Sequence, residues 1–141
     1  MKTGFITLFL LVMATLPVNA RRKLYLNAEG VTISATLYEN EAVTALVSLL
    51  EKEPLVLSFS QYGGFEIIAD LPRQLPHSDM KMTARPCDIM LYLGKVMCIF
   101  FESNTWTYTP IGKIDDKTSS DIKKILSGNS TRIILSLSPL D

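Results

Sequence analysis

From residue 22 onward, short stretches of alternating apolar and polar residues dominate the chain. In "RKLYLN", Leu24 and Leu26 alternate with Lys23 and Tyr25; after Ala28-Glu29-Gly30, "VTISATLY" sets Val31, Ile33, Ala35 and Leu37 against Thr32, Ser34 and Thr36. A period of two with one apolar face predicts a strand, and two such runs about a short turn predict a hairpin. The pattern then changes period. Val43, Leu46, Val47 and Leu50 form one stripe of a helix that Asn40 can cap and that Pro54 ends after Lys52. "LVLSFSQ" returns to a strand with Leu55, Leu57 and Phe59 on one side, and Gly63-Gly64 leads into a short strand, "FEIIA". Leu71 to Pro86 carries three prolines and little periodicity, so it is expected to be a long loop.

The second half repeats the theme. Asp88 to Tyr92 and Val96 to Phe101 form a hairpin turning through Leu93-Gly94-Lys95, followed by an aromatic strand from Trp106 to Pro110 and a bend at Gly112. Thr118-Ser119-Ser120 can cap a short helix through Leu126, Gly128 suits its carboxyl end, and "TRIILSLS" closes the chain with Ile133, Leu135 and Leu137 facing inward. Seven or eight short strands with two helices predict a mainly β domain, a closed or nearly closed barrel, because closure removes exposed strand edges.

The amino terminus follows another rule. "MKTGFITLFLLVMATLPVNA" has Lys2, an apolar run from Phe5 to Leu16, then Pro17 and the small-residue pattern Val18-Asn19-Ala20. This is the form of a secretory signal, with cleavage expected near Ala20 and residues 21–141 forming one exported domain. The run is shorter than the ~20 residues of a spanning helix, so no stable membrane span is expected after cleavage. Arg21-Arg22-Lys23 opposes translocation and makes an uncleaved anchor the alternative.

Composition narrows the classes further. The chain has 141 residues, 48% hydrophobic and 20% charged, which suits one ordinary globular core. Fourteen basic and fourteen acidic residues cancel, so no positive field is present to hold phosphates and nucleic acid is not an expected partner. Cys87 and Cys98 sit on opposite arms of the expected hairpin, offset along the ladder to about 7 Å or more, too far for comfortable disulfide geometry. Two buried free thiols are expected; an interchain bridge or a redox pair is the alternative. The single histidine, His77, has no H-x-x-x-H or cysteine cluster beside it, so neither a metal site nor a Ser or Cys nucleophile is expected. No glycine motif for a nucleotide cofactor occurs, and no cofactor is expected. Asp115-Asp116 could pose as paired carboxylates, but they precede the Thr118 cap and are read as turn residues, with Lys113 facing solvent. Asn129-Ser130-Thr131 fits a glycosylation sequon but follows Gly128 and reads as a turn.

Three segments together resemble a known family. "LSFSQYGGFEIIADLP" is similar to a glycine-x-glutamate, leucine-proline segment of the cyclophilin-like domain family of small bacterial proteins, carried by Gly64, Glu66, Leu71 and Pro72. "CDIMLYLGKVMCIFF" and "TWTYTPIGKIDD" resemble that family's hairpin and aromatic strand through Asp88, Leu91, Tyr92, Trp106, Tyr108, Ile111, Gly112, Lys113 and Ile114. The resemblance spans Lys23 to Leu137 and implies a cyclophilin-type β-barrel of about eight strands with two helices. True cyclophilins isomerise prolyl bonds with an arginine set in a phenylalanine-histidine-arginine run ahead of a glycine pair. Here "LVLSFSQY" has neither His nor Arg, so no catalytic residue transfers. The expectation is therefore a non-catalytic module binding a peptide or small ligand through Phe59, Gln61, Phe65, Arg85, Trp106 and Tyr108. A weak prolyl isomerase using Arg73 or Arg85 is the alternative, and a barrel serving only assembly with another exported protein is a third.

Overall fold

The computed structural model describes residues 22–126 and 130–140; the expected signal segment, Gly128 and Asn129 lie outside them. Among the described residues nine strands and two helices follow one another: β1 Lys23–Ala28, β2 Val31–Leu37, α1 Glu41–Lys52, β3 Leu55–Tyr62, β4 Glu66–Asp70, β5 Met80–Ala84, β6 Asp88–Tyr92, β7 Val96–Phe100, β8 Asn104–Ile114, α2 Ser119–Leu126 and β9 Ser130–Ser136. The strand order is β2-β1-β9-β3-β4-β7-β6-β8, every pairing antiparallel, and β2 pairs with β8 to close a ring of eight. Closure leaves no free edge within the ring. β5 stands outside it, paired only with β8.

Alternation fixes what the ring encloses. Leu24, Leu26, Ile33, Ala35, Leu57, Phe59, Ile67, Ile99, Ile133 and Leu135 point inward into one aliphatic core. Both helices contribute, α1 through Val43, Leu46, Val47 and Leu50, α2 through Ile122 and Leu126. Each is capped as its sequence predicts. The Asn40 carboxamide oxygen accepts from Val43 N–H at 2.9 Å, and its Nδ2 donates to the Pro110 carbonyl, tying α1 to β8. The Thr118 hydroxyl accepts from Asp121 N–H while the Asp121 carboxylate accepts from Thr118 N–H, a reciprocal capping box.

Two expectations require correction. The stretch Leu71–Pro86 is not wholly loop: Met80–Ala84 forms β5, in register with Tyr108–Asn104 of β8. Its partner is an unusually long strand of eleven residues whose first half projects beyond the ring, and that edge supplies the pairing. Nor does the strand end at Gly112, although its register against β6 shifts there, Pro110 and Gly112 standing opposite the successive residues Met90 and Ile89. β8 runs on to Ile114, and a Cβ at Gly112 would sit 2.5 Å from the Thr36 carbonyl oxygen, so glycine there lets β2 and β8 approach and close the ring.

The acidic pair beyond β8 fastens that closure. Asp115 accepts from Lys23 Nζ at 2.7 Å and from the Thr36 hydroxyl at 2.8 Å, and Asp116 accepts from the Ser34 N–H at 3.0 Å. Lys113 extends into solvent, its side chain 51% exposed, with Nζ 3.1 Å from the Asp88 carboxylate.

Candidate functional site

The strands β7 and β6 are largely apolar on both faces, and β4 places Ile68 between Glu66 and Asp70 on its outer face, which sets the three apart from the half-polar hairpin of β1 and β2. Ile67, Ala69, Ile89, Leu91, Met97 and Ile99 face the enclosed core. The alternate residues, Ile68, Met90, Tyr92, Cys98 and Phe100, face outward and form a second cluster with Phe65, Met82, Ala84, Val96 and Tyr108. This second cluster exists because β5 and the projecting half of β8 fold over the outside of the sheet. The segment before β5 is fastened there by Asp79, whose carboxylate accepts from the Thr109 hydroxyl at 2.6 Å and from Leu93 N–H at 2.9 Å, with the His77 ring at 3.1 Å. Burial works against the Asp79 charge, but these bonds together hold its carboxyl below the usual range.

The cover is incomplete and leaves a cavity of about 790 Å³. Its walls are largely aromatic: Tyr62, Phe65, Tyr92, Trp106 and Tyr108, with Ile68, Val96 and Cys98. The rings brace one another. Phe65 lies nearly parallel to Phe100, centroids 6.2 Å apart, Tyr108 meets Phe100 edge-on at 5.3 Å, and Tyr62 meets Phe65 edge-on at 6.2 Å. Gly63, at φ +65°, lies beneath the Phe65 ring, and an added Cβ would collide with that ring. Asn104 Nδ2 donates to the Tyr108 hydroxyl at 2.8 Å and fixes the phenol, whose pKa is pushed up by burial, opposed by this bond. Trp106, 57% exposed, and Tyr62, 59% exposed, stand at the mouth.

One charged side chain belongs to this wall. Glu66, first residue of β4, is only 5% exposed, and its Oε2 has no hydrogen-bond partner among the described residues. It is brought here by the same alternation that turns Ile68 outward. Burial raises its pKa to about 7, a rise that the neighbouring Cys98 thiol partly offsets. The Cys98 thiol is in turn driven well above its ordinary range, chiefly by burial and then by the Glu66 charge, so it stays protonated. No Lys, Arg or His is among the described residues lining the cavity.

Of the six residues singled out in the sequence, Phe65, Trp106 and Tyr108 share this cavity. Phe59 does not: it is 1% exposed within the ring core. Gln61 is exposed at the end of β3, opposite Ile67, and Arg85 is exposed just beyond β5, its backbone N–H held by Asp88 at 2.8 Å. Arg73 is exposed in the segment after β4. The two thiols are free and buried on opposite sides of the sheet, Cys87 packing in the ring core and Cys98 in the outer cluster. Among the described residues, no group of three or more His, Cys, Asp or Glu side chains is placed to hold a metal, and no helix is long and apolar enough to cross a membrane. Glu66, Tyr62, Tyr92 and Asn104 were not anticipated as site residues. The available signal was weak: the glutamate opening "EIIAD" shares a strand face with Ile68 and directly precedes the apolar pair Ile67-Ile68.

Comparison with known proteins supports the architecture. The model of the cyclophilin-like family matches residues 26–137. A hypothetical protein from Archaeoglobus fulgidus, known from its solution structure, is similar in fold with a TM-score of 0.58 and 16% identity, over 84% of this chain and 95% of that one. No curated protein matches.

Proposed function

The chain belongs to the cyclophilin-like family, and we propose that in this member the fold serves as a non-catalytic binding module for a small ligand held in the aromatic cavity outside the ring. The observation carrying this reading is the cavity itself: about 790 Å³, walled by five aromatic side chains, with a single buried carboxyl. That volume falls in the range of roughly 300–1,000 Å³ typical of small-molecule sites, where apolar walls supply affinity and a few polar groups fix orientation. Catalysis of prolyl isomerisation needs a donor to weaken the amide resonance behind a barrier of roughly 18–20 kcal/mol. Arg73 and Arg85 stand outside the cavity lining, which favours binding without turnover. Export is part of the proposal and rests on the signal-like segment ending at Ala20.

Trp106 is the only tryptophan of the chain and stands in the cavity wall, so its fluorescence reports occupancy directly. Titration with small aromatic compounds is expected to give saturable emission changes that Tyr108→Ala weakens. In exchange NMR, a short Xaa-Pro peptide is expected to keep its uncatalysed cis/trans rate. Acceleration of that rate would overturn the non-catalytic half of the reading, and an unresponsive Trp106 would overturn the binding half. Amino-terminal sequencing of exported protein is expected to begin at Arg21.

A further inference from the structure

Glu66 presents a physical problem that the fold leaves unsolved. A carboxylate removed from water is costly unless a counter-charge or several donors replace its hydration. Here one carboxyl oxygen has no hydrogen-bond partner among the described residues, and the walls offer a thiol, Cys98 on β7, and phenols, Tyr62 on β3, Tyr92 on β6 and Tyr108 on β8. None of these is a cation. Lys95, beside Val96 in the chain, donates instead to the Leu71 carbonyl at 2.7 Å. Beyond the wall, the Asp79 charge reaches Cys98 and makes the surroundings more negative. The missing partner is therefore absent from the site's own side chains. Aromatic faces carry negative potential and attract cations within about 6 Å of the ring centre.

We propose that the cavity binds a small organic cation bearing at least one N–H, its ammonium donating to the free Glu66 oxygen and its apolar body packing against Phe65, Tyr92, Trp106 and Tyr108. The inference rests on the binding-module reading of the same cavity and adds the chemistry of the ligand. An anion meets the carboxylate as a like charge, and a neutral donor can pair the Glu66 oxygen but brings no counter-charge to it. Because the cavity lies open between the β5–β8 cover and the ring, a ligand enters without unfolding either cluster.

Three probes that share a phenethyl body separate the possibilities by calorimetry: phenethylammonium, neutral 2-phenylethanol and anionic 3-phenylpropanoate. Phenethylammonium is expected to bind at least tenfold more tightly than the alcohol at pH 8, with the anion weakest. Glu66 ionises near pH 7, while burial keeps Cys98 and Tyr108 protonated across this range. The ammonium affinity should then fall roughly fivefold from pH 7 to pH 6 and change less than about twofold from pH 7 to pH 8. Binding at pH 7 should release about half a proton, read from the buffer dependence of the heat. Glu66→Gln keeps the shape and is expected to abolish the preference for the cation while leaving alcohol affinity within about threefold. The wild-type pH profile tests the same claim without any variant. Equal binding of ammonium and alcohol, or an ammonium affinity unchanged by Glu66→Gln, would overturn the cationic ligand and leave the binding module standing. Silence of all three probes at millimolar concentration would overturn both.

Discussion

The two faces of the β4–β7–β6 sheet share one backbone and differ in everything else. Inward stand Ile67, Ala69, Ile89, Leu91, Met97 and Ile99, each at most 4% exposed, interlocked with both helices. Outward stand Glu66, Ile68, Met90, Tyr92, Cys98 and Phe100, covered only in part by β5 and the first half of β8. Aliphatic side chains closed on themselves maximise packing, whereas braced rings around a gap keep apolar surface available to something else. The difference separates stability from binding along a period of two residues: the inner set holds the ring, and the outer set retains an ionisable group that a purely structural face would not contain.

That contrast can be broken by substitution. The largest effect belongs inside. Ile99→Ala is expected to destabilise by about 2–5 kcal/mol through lost burial and a cavity that the closed ring cannot fill, measured by denaturant unfolding. Glu66→Gln, on the outer face, is expected to do the opposite at high pH. The unfolded chain ionises Glu66 near 4.5 and the folded chain near 7. Its contribution to stability is therefore intact below pH 4.5 and lost as pH rises through 7. Unfolding curves should then show the Gln variant more stable than wild type by up to about 3 kcal/mol at pH 8 and nearly equal at pH 4.5. Gly112→Ala forces a Cβ against the Thr36 carbonyl and is expected to cost about 1–3 kcal/mol by prying β2 from β8, with amide protection lost first along those two strands. Smallest in stability is Trp106→Ala, within about 1 kcal/mol because the ring is half exposed, yet it should weaken ligand binding at least tenfold. Should Trp106→Ala and Ile99→Ala destabilise equally, the two faces would not be functionally distinct.

The ring was legible because most strands bury one face, and a period of two reports that directly. The caps at Asn40 and Thr118 were legible for the same local reason. β5 was not, since "MKMTA" is short, half polar and flanked by prolines, and only the projecting edge of β8 makes it a strand. Gly112 reads as a bend because sequence carries no sign of the Thr36 carbonyl that approaches it. The site was half legible. Phe59 and Phe65 look equivalent across the Gly63-Gly64 turn, yet alternation within β3 sends Phe59 inward, and the turn carries Phe65 to the outer face. In the sequence Glu66 stands out only within the family-like segment, because its place in a cavity depends on a cover supplied from some forty residues away by Trp106 and Tyr108.

The most direct test of this division is the titration of the Glu66 side-chain carboxyl, followed by carbon-13 NMR in the unliganded protein. A midpoint near 7, moved downward when phenethylammonium is added, is the result expected of a buried carboxylate waiting for a cation. A midpoint at the ordinary 4.5, unmoved by the probe, would mean that Glu66 is already hydrated or paired and that the outer face is only a looser part of the core.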